Sequence, residues 1–202
     1  MFLFDHILHK YTLNGRVLPS VTQITSPLSD YSMVPTEVLE RKKIIGSAVH
    51  LACELHDSGG VDESTIHDLC FPYFKAYLKF RADNPCDVVL NEQKVFSERW
   101  GFAGTLDRVF KMHESRTGSW FKGDLVQIDL KTVATLMLAT GPQTAGYALA
   151  MPDLGVPRTQ VKRAALQLKP DGTYTIKPYY SAKDEACFIA LLTLHQWRIE
   201  NV

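Results

Sequence analysis

The segment 125–132, LVQIDLKT, contains the residue types that point most directly to chemistry. Side chains alternate between the two faces of a β-strand, so Asp129 and Lys131 project together while Ile128 and Leu130 point the other way. One interpretation is a same-face ion pair on an edge strand. The other is a metal-binding carboxylate beside a cation that positions a water and meets developing negative charge. The pair alone leaves both interpretations open.

An aspartate and a histidine upstream also have informative neighbours. Asp107 closes the stretch GTLD, in which Gly104 permits a bulge or a close backbone approach that would aim the acid at a ligand. A solvent-facing aspartate on a strand is the alternative. His50 follows Gly46 by four residues, which places both on one helix face and lets another element approach closely there. A single helical histidine is also commonly structural.

Downstream, the pattern of residues 142–151 predicts a helix that carries two polar side chains on one face. Gln143 and Tyr147 are four residues apart, so their polar tips can reach one point. Each of these patterns alone is weak evidence for a functional site. Whether they form one site depends on the helices and strands that carry them.

Those elements follow from hydrophobic periodicity and turn residues. The sequence predicts a hairpin over 11–25 around Asn14-Gly15, helices over 36–57 and 62–83 (the second interrupted at Pro72), strands over 87–97, 101–111 and 125–132, a helix over 142–151, strands over 160–168 and 173–180, and a helix over 182–200. This order indicates an α/β or α+β protein with a central sheet. No repeat or Pro/Gly/Ser-rich linker interrupts it, which predicts a single domain.

Composition restricts the class of protein. Twenty-two basic and twenty-two acidic side chains give a net charge of zero, which excludes a globally basic nucleic-acid coat but not a local basic groove. No apolar run approaches the ~20 residues that span a bilayer. Asp5 and His6 interrupt the start of the chain where a signal peptide would be apolar. Four dispersed cysteines show no CxxC spacing. We therefore expect a cytoplasmic protein that does not associate with membranes.

The chemical motifs occur in the order Gly46-x-x-x-His50, Gly104-x-x-Asp107, Asp129-x-Lys131 and Gln143-x-x-x-Tyr147. This order resembles the PD-(D/E)XK nuclease superfamily in its RecB-like branch, and within it the mitochondrial genome maintenance exonucleases and related phage exonucleases. The resemblance extends from Pro19-Ser20-Val21 to the turn at Asp171-Gly172. Four motifs in this order are far more specific than any one of them.

The resemblance implies a restriction-endonuclease-like αβββαβ core, of the α/β class, with a central mixed sheet flanked by helices. Residues 1–202 would form one nuclease domain, with 1–35 as an N-terminal hairpin or loop extension. His50, Asp107, Asp129 and the backbone carbonyl of Leu130 would hold a divalent cation. Mostly oxygen ligands with one imidazole suit Mg²⁺ or Mn²⁺.

The resemblance also implies roles around that cation. The ion would lower the pKa of a bound water, Lys131 would orient this water or stabilise the charge on the phosphate, and Gln143 and Tyr147 would support Lys131 and the phosphate. Glu92 contacts a second cation or caps the site, or it is structural. Some relatives bind an iron–sulfur cluster through a C-terminal cysteine trio; here only Cys187 lies downstream of the core, so no cluster is expected.

The function implied is a metal-dependent DNA exonuclease acting on single-stranded DNA or duplex ends in recombination, repair or genome processing, in a bacterium or a phage-infected cell. The alternatives are a structure-specific endonuclease and a non-catalytic module that binds DNA or a partner. A recombination or replication protein as partner, and a homo-oligomer, are also left open by the resemblance.

A protein with zero net charge must bind a polyanion such as DNA through local basic contacts. Arg41, Lys42 and Lys43 lie within about three turns of His50 and are candidates for contacts to phosphates, with an ordinary solvated helix face as the alternative. Trp100, in the turn predicted between the first two strands of the core, is a candidate for stacking on an unpaired base.

Overall fold

A computed structural model describes residues 1–113 and 120–201 and shows an α/β protein in which helices flank a five-stranded mixed sheet. The elements are β1 (Phe2–Asp5), β2 (Lys10–Leu13), β3 (Arg16–Leu18), α1 (Val21–Thr25), α2 (Thr36–Asp57), α3 (Phe71–Asp83), β4 (Cys86–Ser97), β5 (Phe102–Met112), β6 (Leu125–Lys131), α4 (Thr140–Ala150), β7 (Val161–Leu168), β8 (Tyr174–Pro178) and α5 (Ala182–Glu200). Short 3₁₀ turns occupy Ser26–Leu28, Glu63–Thr65, Met151–Leu154 and Arg158–Gln160.

The central sheet has the strand order β4-β5-β6-β7-β8. All neighbouring pairs are antiparallel except β6 and β7, which are parallel and are connected through α4, because parallel neighbours require a crossover. The β5–β6 ladder ends at the pair Arg108–Ile128. Beyond it the backbone N–H of Leu130 donates instead to Asp107 Oδ2, at 2.7 Å. The sheet therefore splits between β5 and β6, and the split leaves room for side chains from both faces.

Two hydrophobic clusters cover the two faces of this sheet. The alternation along β6 puts Val126, Ile128 and Leu130 against α2 and α3, while the intervening residues face α1, α4 and α5. Each face is thus covered by helices, as expected for a sheet that contains a parallel pair. Side chains from helices on opposite faces can therefore approach one another where β5 and β6 separate.

A separate three-stranded antiparallel sheet, β1-β2-β3, packs on the outer part of β5. The turn between β2 and β3 uses Asn14 and Gly15, both with positive φ, as in a tight hairpin. Buried Tyr11 and Leu18 pack on Ala103, and the Tyr11 hydroxyl lies 2.8 Å from Thr105 Oγ1. These contacts hold the N-terminal sheet beside the end of β5 that carries Asp107.

Most predicted elements are confirmed within a few residues, including α2, the three strands of the core and the hairpin at 170–172. Two predictions were wrong, and one strand was missed. The hairpin over 11–25 is too long, because Ser20 and Gln23 form a capping box that starts α1. The helix over 62–83 begins at Phe71, with Pro72 in its first turn, and Asp62 caps only a 3₁₀ turn. Strand β1 was not predicted.

None of the helices in the described ranges is long and apolar enough to cross a membrane. The four cysteines are free thiols; Cys53 and Cys70 are buried, and Cys86 and Cys187 are partly buried.

We expect that only glycine fits at position 104, because a side chain there would collide with its neighbours. A Cβ at this position would lie 2.8 Å from Tyr147 Cε1 and 3.3 Å from Val21 Cγ2. Gly104→Ala should therefore lower the free energy of unfolding by about 1–3 kcal/mol in urea titrations. Gly60→Ala is the control, because a Cβ there meets no atom within 4 Å, and it should change stability by less than about 1 kcal/mol. Equal effects of the two substitutions would contradict the packing argument.

Candidate metal centre

The predicted site side chains converge on one cavity of about 600 Å³ at the split between β5 and β6. Its lining includes all six predicted side chains: His50, Asp107, Asp129, Lys131, Gln143 and Tyr147. The histidine comes from α2 on one face of the sheet, and the glutamine and tyrosine come from α4 on the other. Hydroxyl side chains from the segment between β3 and α2 supply part of the remaining wall, together with residues of the N-terminal sheet and of the segment between β6 and α4.

Helix α2 holds His50 against the end of β6. Val49 and Cys53 on this helix are fully buried against the sheet, which fixes the rotation of the helix. A Cβ on Gly46 would lie only 3.3 Å from Thr132 Oγ1, so the helix lies close to the chain just after β6. His50 Nε2 then lies 3.2 Å from the backbone carbonyl oxygen of Leu130. The resemblance names this imidazole and this carbonyl as ligands of one cation, and their binding of a cation stays a prediction.

The other ring nitrogen of His50 faces two carboxylates. Nδ1 lies 3.6 Å from Asp107 Oδ1 and 3.6 Å from Glu92 Oε1, and one ligand atom from each of the three residues lies within 4.8 Å of the others. Glu92 adopts φ 44°, a left-handed conformation that is unusual inside a strand, and this places its side chain beside Asp107. The sequence left the role of Glu92 open, and the geometry puts it at the site.

Lys131 and Asp129 form the same-face ion pair that strand alternation predicts. The ammonium lies 2.7 Å from Asp129 Oδ2 and donates to Gln143 Oε1 at 3.2 Å. Asp129 is almost fully buried, and Tyr147 is buried beside the cavity, where the absence of a side chain on Gly104 makes room for its ring. Lys131 is thus held from two sides, by a strand carboxylate and a helix amide.

A buried ionic network behind Glu92 fixes that carboxylate from the core. Arg108 is fully buried; its Nη1 donates to Glu92 Oε1 at 2.9 Å, and its Nε donates to Asp57 Oδ2 at 2.7 Å. Asp57, at the end of α2, also accepts hydrogen bonds from the Tyr77 hydroxyl and Arg81. Sequence reasoning missed Asp57 and Arg108. The available signal was an arginine within the otherwise apolar run that follows Asp107.

The site concentrates buried negative charge. Burial, together with the Asp129 and Glu92 carboxylates, raises the pKa of Asp107 to about 6, although His50 and Lys131 oppose the rise. Burial disfavours the imidazolium of His50, but Asp107 and Glu92 outweigh it and raise its pKa. Burial likewise opposes the charge on Lys131, and Asp129 and Asp107 reverse this and raise its pKa.

The surroundings of the site therefore favour additional positive charge. Four carboxylates with largely buried side chains (Asp57, Glu92, Asp107 and Asp129) face three permanent cations (Arg81, Arg108 and Lys131). In the described part of the chain, a protonated His50 or a bound cation balances the fourth carboxylate. Carboxylate and carbonyl oxygens with one imidazole form a donor set that fits Mg²⁺ or Mn²⁺. One ligand atom each from His50, Glu92 and Asp107 lies close enough to share a single ion. The Leu130 carbonyl faces the other ring nitrogen of His50, and the Asp129 carboxylate is paired with Lys131, so this group shares only His50 and Asp107 with the ligand set that the resemblance implies.

The predicted DNA-contacting residues lie elsewhere. Arg41 and Lys42 line a separate groove between α2 and the start of α3. Lys43 is exposed and paired with Glu40 at 2.7 Å. Trp100 lies in the β4–β5 turn, as predicted, where its carbonyl oxygen accepts a hydrogen bond from the Gln196 side chain of α5. The structure does not bring these four residues to the cavity, and their contact with DNA stays a prediction.

No protein-family model matches the chain, and none of the curated proteins matches it either. The geometry and chemistry of the cavity therefore carry the functional argument.

We expect Asp107→Asn to stabilise the metal-free protein at neutral pH. The pKa of Asp107 is raised from 3.8 to about 6, so its charge destabilises the folded state increasingly as the pH rises through this range. Asparagine removes the charge, and its amide oxygen can still accept from Leu130 N–H. Urea unfolding with EDTA should show a gain of about 2 kcal/mol near pH 7 and a much smaller gain near pH 4.

We expect Mn²⁺ to raise the Tm of the wild-type protein, and the same substitution should abolish this rise, since it removes a candidate ligand. Asp153→Asn, at an exposed carboxylate outside the cavity, is the control and should change neither measurement. A loss of stability at neutral pH, or an undiminished Mn²⁺ effect, would contradict the assignment of Asp107.

Proposed function

We propose that this protein is a metal-dependent DNA exonuclease that hydrolyses phosphodiester bonds. The observation that carries the proposal is the convergence of four motifs, far apart in sequence, on one cavity. His50 from α2, Asp107 from β5, Asp129 and Lys131 from β6, and Gln143 and Tyr147 from α4 line it together.

The order of elements supports placing this cavity on a restriction-endonuclease-like core. Helix α2 with α3, the consecutive strands β4, β5 and β6, helix α4 and strand β7 follow the order αβββαβ, with α4 as the crossover between the parallel strands. The acidic motif residues lie on the second and third of these strands, and the Gln–Tyr pair lies on the following helix. This is the arrangement that the RecB-like resemblance implies.

Phosphodiester hydrolysis requires an oriented water and positive charge near the phosphate. A divalent cation held by His50, Asp107 and their neighbours would supply Lewis acidity to the phosphate and lower the pKa of water. Lys131, with a raised pKa, stays charged at neutral pH and offers N–H donors to the water or to a phosphate oxygen. Gln143 and Asp129 hold that ammonium in place.

The shape of the cavity supports an unpaired strand as substrate. Its volume of about 600 Å³ lies in the range of pockets that enclose a small organic ligand, which corresponds to a short stretch of one strand. The metal-ligating side chains lie among its walls, beneath α2, α4 and the N-terminal segment. A terminus can enter such a cavity directly, which favours exonuclease action over cutting within a closed duplex.

The decisive experiment is a nuclease assay with Mg²⁺, Mn²⁺ or EDTA on end-labelled single-stranded, blunt duplex and circular DNA. Wild-type protein should degrade linear DNA only with the metal and should spare the circle. Lys131→Ala should lower the cleavage rate at least about a hundredfold, since it removes the charge beside the phosphate. Lys111→Ala, on the exposed side of β5 outside the cavity, is the matched control and should cleave normally.

The other outcomes separate the alternatives. Cleavage of the circle would make the protein an endonuclease. DNA binding without cleavage would make it a non-catalytic module, and undiminished cleavage by Lys131→Ala would remove the proposed mechanism. The rise in Tm on addition of Mn²⁺ should persist in Lys131→Ala, which shows that the variant retains the folded site.

A further inference from the structure

A second cavity, of about 450 Å³, adjoins the proposed metal centre. The two cavities share His9, Ser47, His50 and Thr105 in their linings. The second lies between α2, β4 and the turn that joins β1 to β2, and Glu92 is part of its wall. A molecule extending from the metal centre past the imidazole of His50 therefore enters it directly.

The backbone is strained on two sides of this cavity. Among the described residues other than glycine, positive φ occurs at His9 (47°), Asn14 (50°) and Glu92 (44°). The value at Asn14 is explained by its Asn-Gly turn. His9 also lies in a turn, between β1 and β2, whereas Glu92 lies inside a strand. Both residues line the second cavity, and a left-handed residue inside a strand is typical of ligand-binding and catalytic sites.

The walls combine aromatic surface with one lysine. The Phe4 ring stacks on Tyr11, with ring centroids 4.6 Å apart, and meets the His6 and His9 rings at steep angles, with centroid distances of 4.7 and 5.2 Å. The Lys94 ammonium lies 5.5 Å from the Phe4 centroid and donates to the Glu92 carbonyl at 3.2 Å, which uses one of its three N–H groups. His6 and His9 are exposed, so their rings are accessible from the cavity.

The acidic residues of this cavity do not exclude an anion. Glu92 is already paired with Arg108 and lies beside His50, so its charge is largely compensated. Glu54 is partly exposed, and its carboxylate can accept hydrogen bonds from amino or hydroxyl groups. The aromatic rings can therefore contact a nucleotide base, the acceptor can bind the polar edge of that base or its sugar, and the ammonium can bind a phosphate.

We propose that the second cavity binds the nucleotide unit adjacent to the cleaved phosphodiester, with its base against His6 and His9 and its phosphate on Lys94. This inference rests on the proposed function, because it takes the cleaved phosphate to lie at the metal centre. The N-terminal sheet is then a part of the substrate-binding surface. Stacking on rings with a single phosphate contact tolerates any base, so the subsite adds affinity rather than sequence selection.

The test compares two substrates and one matched pair of variants. The p-nitrophenyl ester of thymidine 5′-phosphate probes the metal centre, and an oligothymidylate also occupies the second cavity. In Lys94→Met, which keeps the apolar stem over Phe4, the ratio of kcat/KM for the oligomer to that for the ester should fall about tenfold. His6→Ala should lower it several-fold. Lys111→Met, outside both cavities, should leave the ratio unchanged.

A binding measurement makes the test independent of turnover. With EDTA present, the affinity of a labelled oligothymidylate measured by fluorescence anisotropy should depend less steeply on salt in Lys94→Met, by about 0.7 in the logarithmic slope for one lost phosphate contact. An unchanged slope and an unchanged ratio would overturn the subsite. A lowered slope without cleavage of either substrate by wild-type protein would keep the subsite and overturn the nuclease.

Discussion

The arrangement of this protein depends on the cost of burying carboxylates at the end of its central sheet. A buried charge that loses its partner costs about 3–5 kcal/mol, so each acid must be matched by donors or cations that the fold brings to it. Asp57 is matched by Arg81, Arg108 and a tyrosine hydroxyl, and Asp129 is matched by Lys131. Asp107 and Glu92 depend in part on the imidazole of His50. The carboxylate that has no permanent cation of its own therefore lies at the cavity.

The split between β5 and β6 is what makes this arrangement possible. A continuous ladder past Arg108 and Ile128 would pair the backbone groups of the two strands, whereas here the Leu130 N–H is bonded by the Asp107 carboxylate. The separated strands let α2 reach the Leu130 carbonyl from one face and α4 reach Lys131 from the other. A Cβ on Gly104 would collide with the Tyr147 ring, so the glycine makes room for this ring beside the cavity.

The sequence predicted those parts of the site that follow from local periodicity. Strand alternation placed Asp129 with Lys131, and helical spacing placed Gln143 with Tyr147, because both patterns depend only on neighbouring residues. The participation of Glu92 and Arg108 depends on which strands pair, in which register, and on a left-handed residue within β4, none of which periodicity encodes. The error over residues 11–25 has a local cause, since a capping box starts a helix where apolar alternation suggested a strand.

Arg108 connects the site to the hydrophobic core, so a substitution that moves its buried partners also moves the carboxylate of the site. Its guanidinium lies among buried core residues with Asp57 and Tyr77 on one side, and it donates to Glu92 at the cavity on the other. Arginine suits this position because its planar fork of donors can bond several acceptors at fixed angles, which an ammonium on a flexible stem does not. Glu92, which accepts this hydrogen bond, has a left-handed backbone conformation. The network among the helices thus helps to position this carboxylate, which acts with Asp107 to raise the pKa of His50 and forms part of the wall of the second cavity.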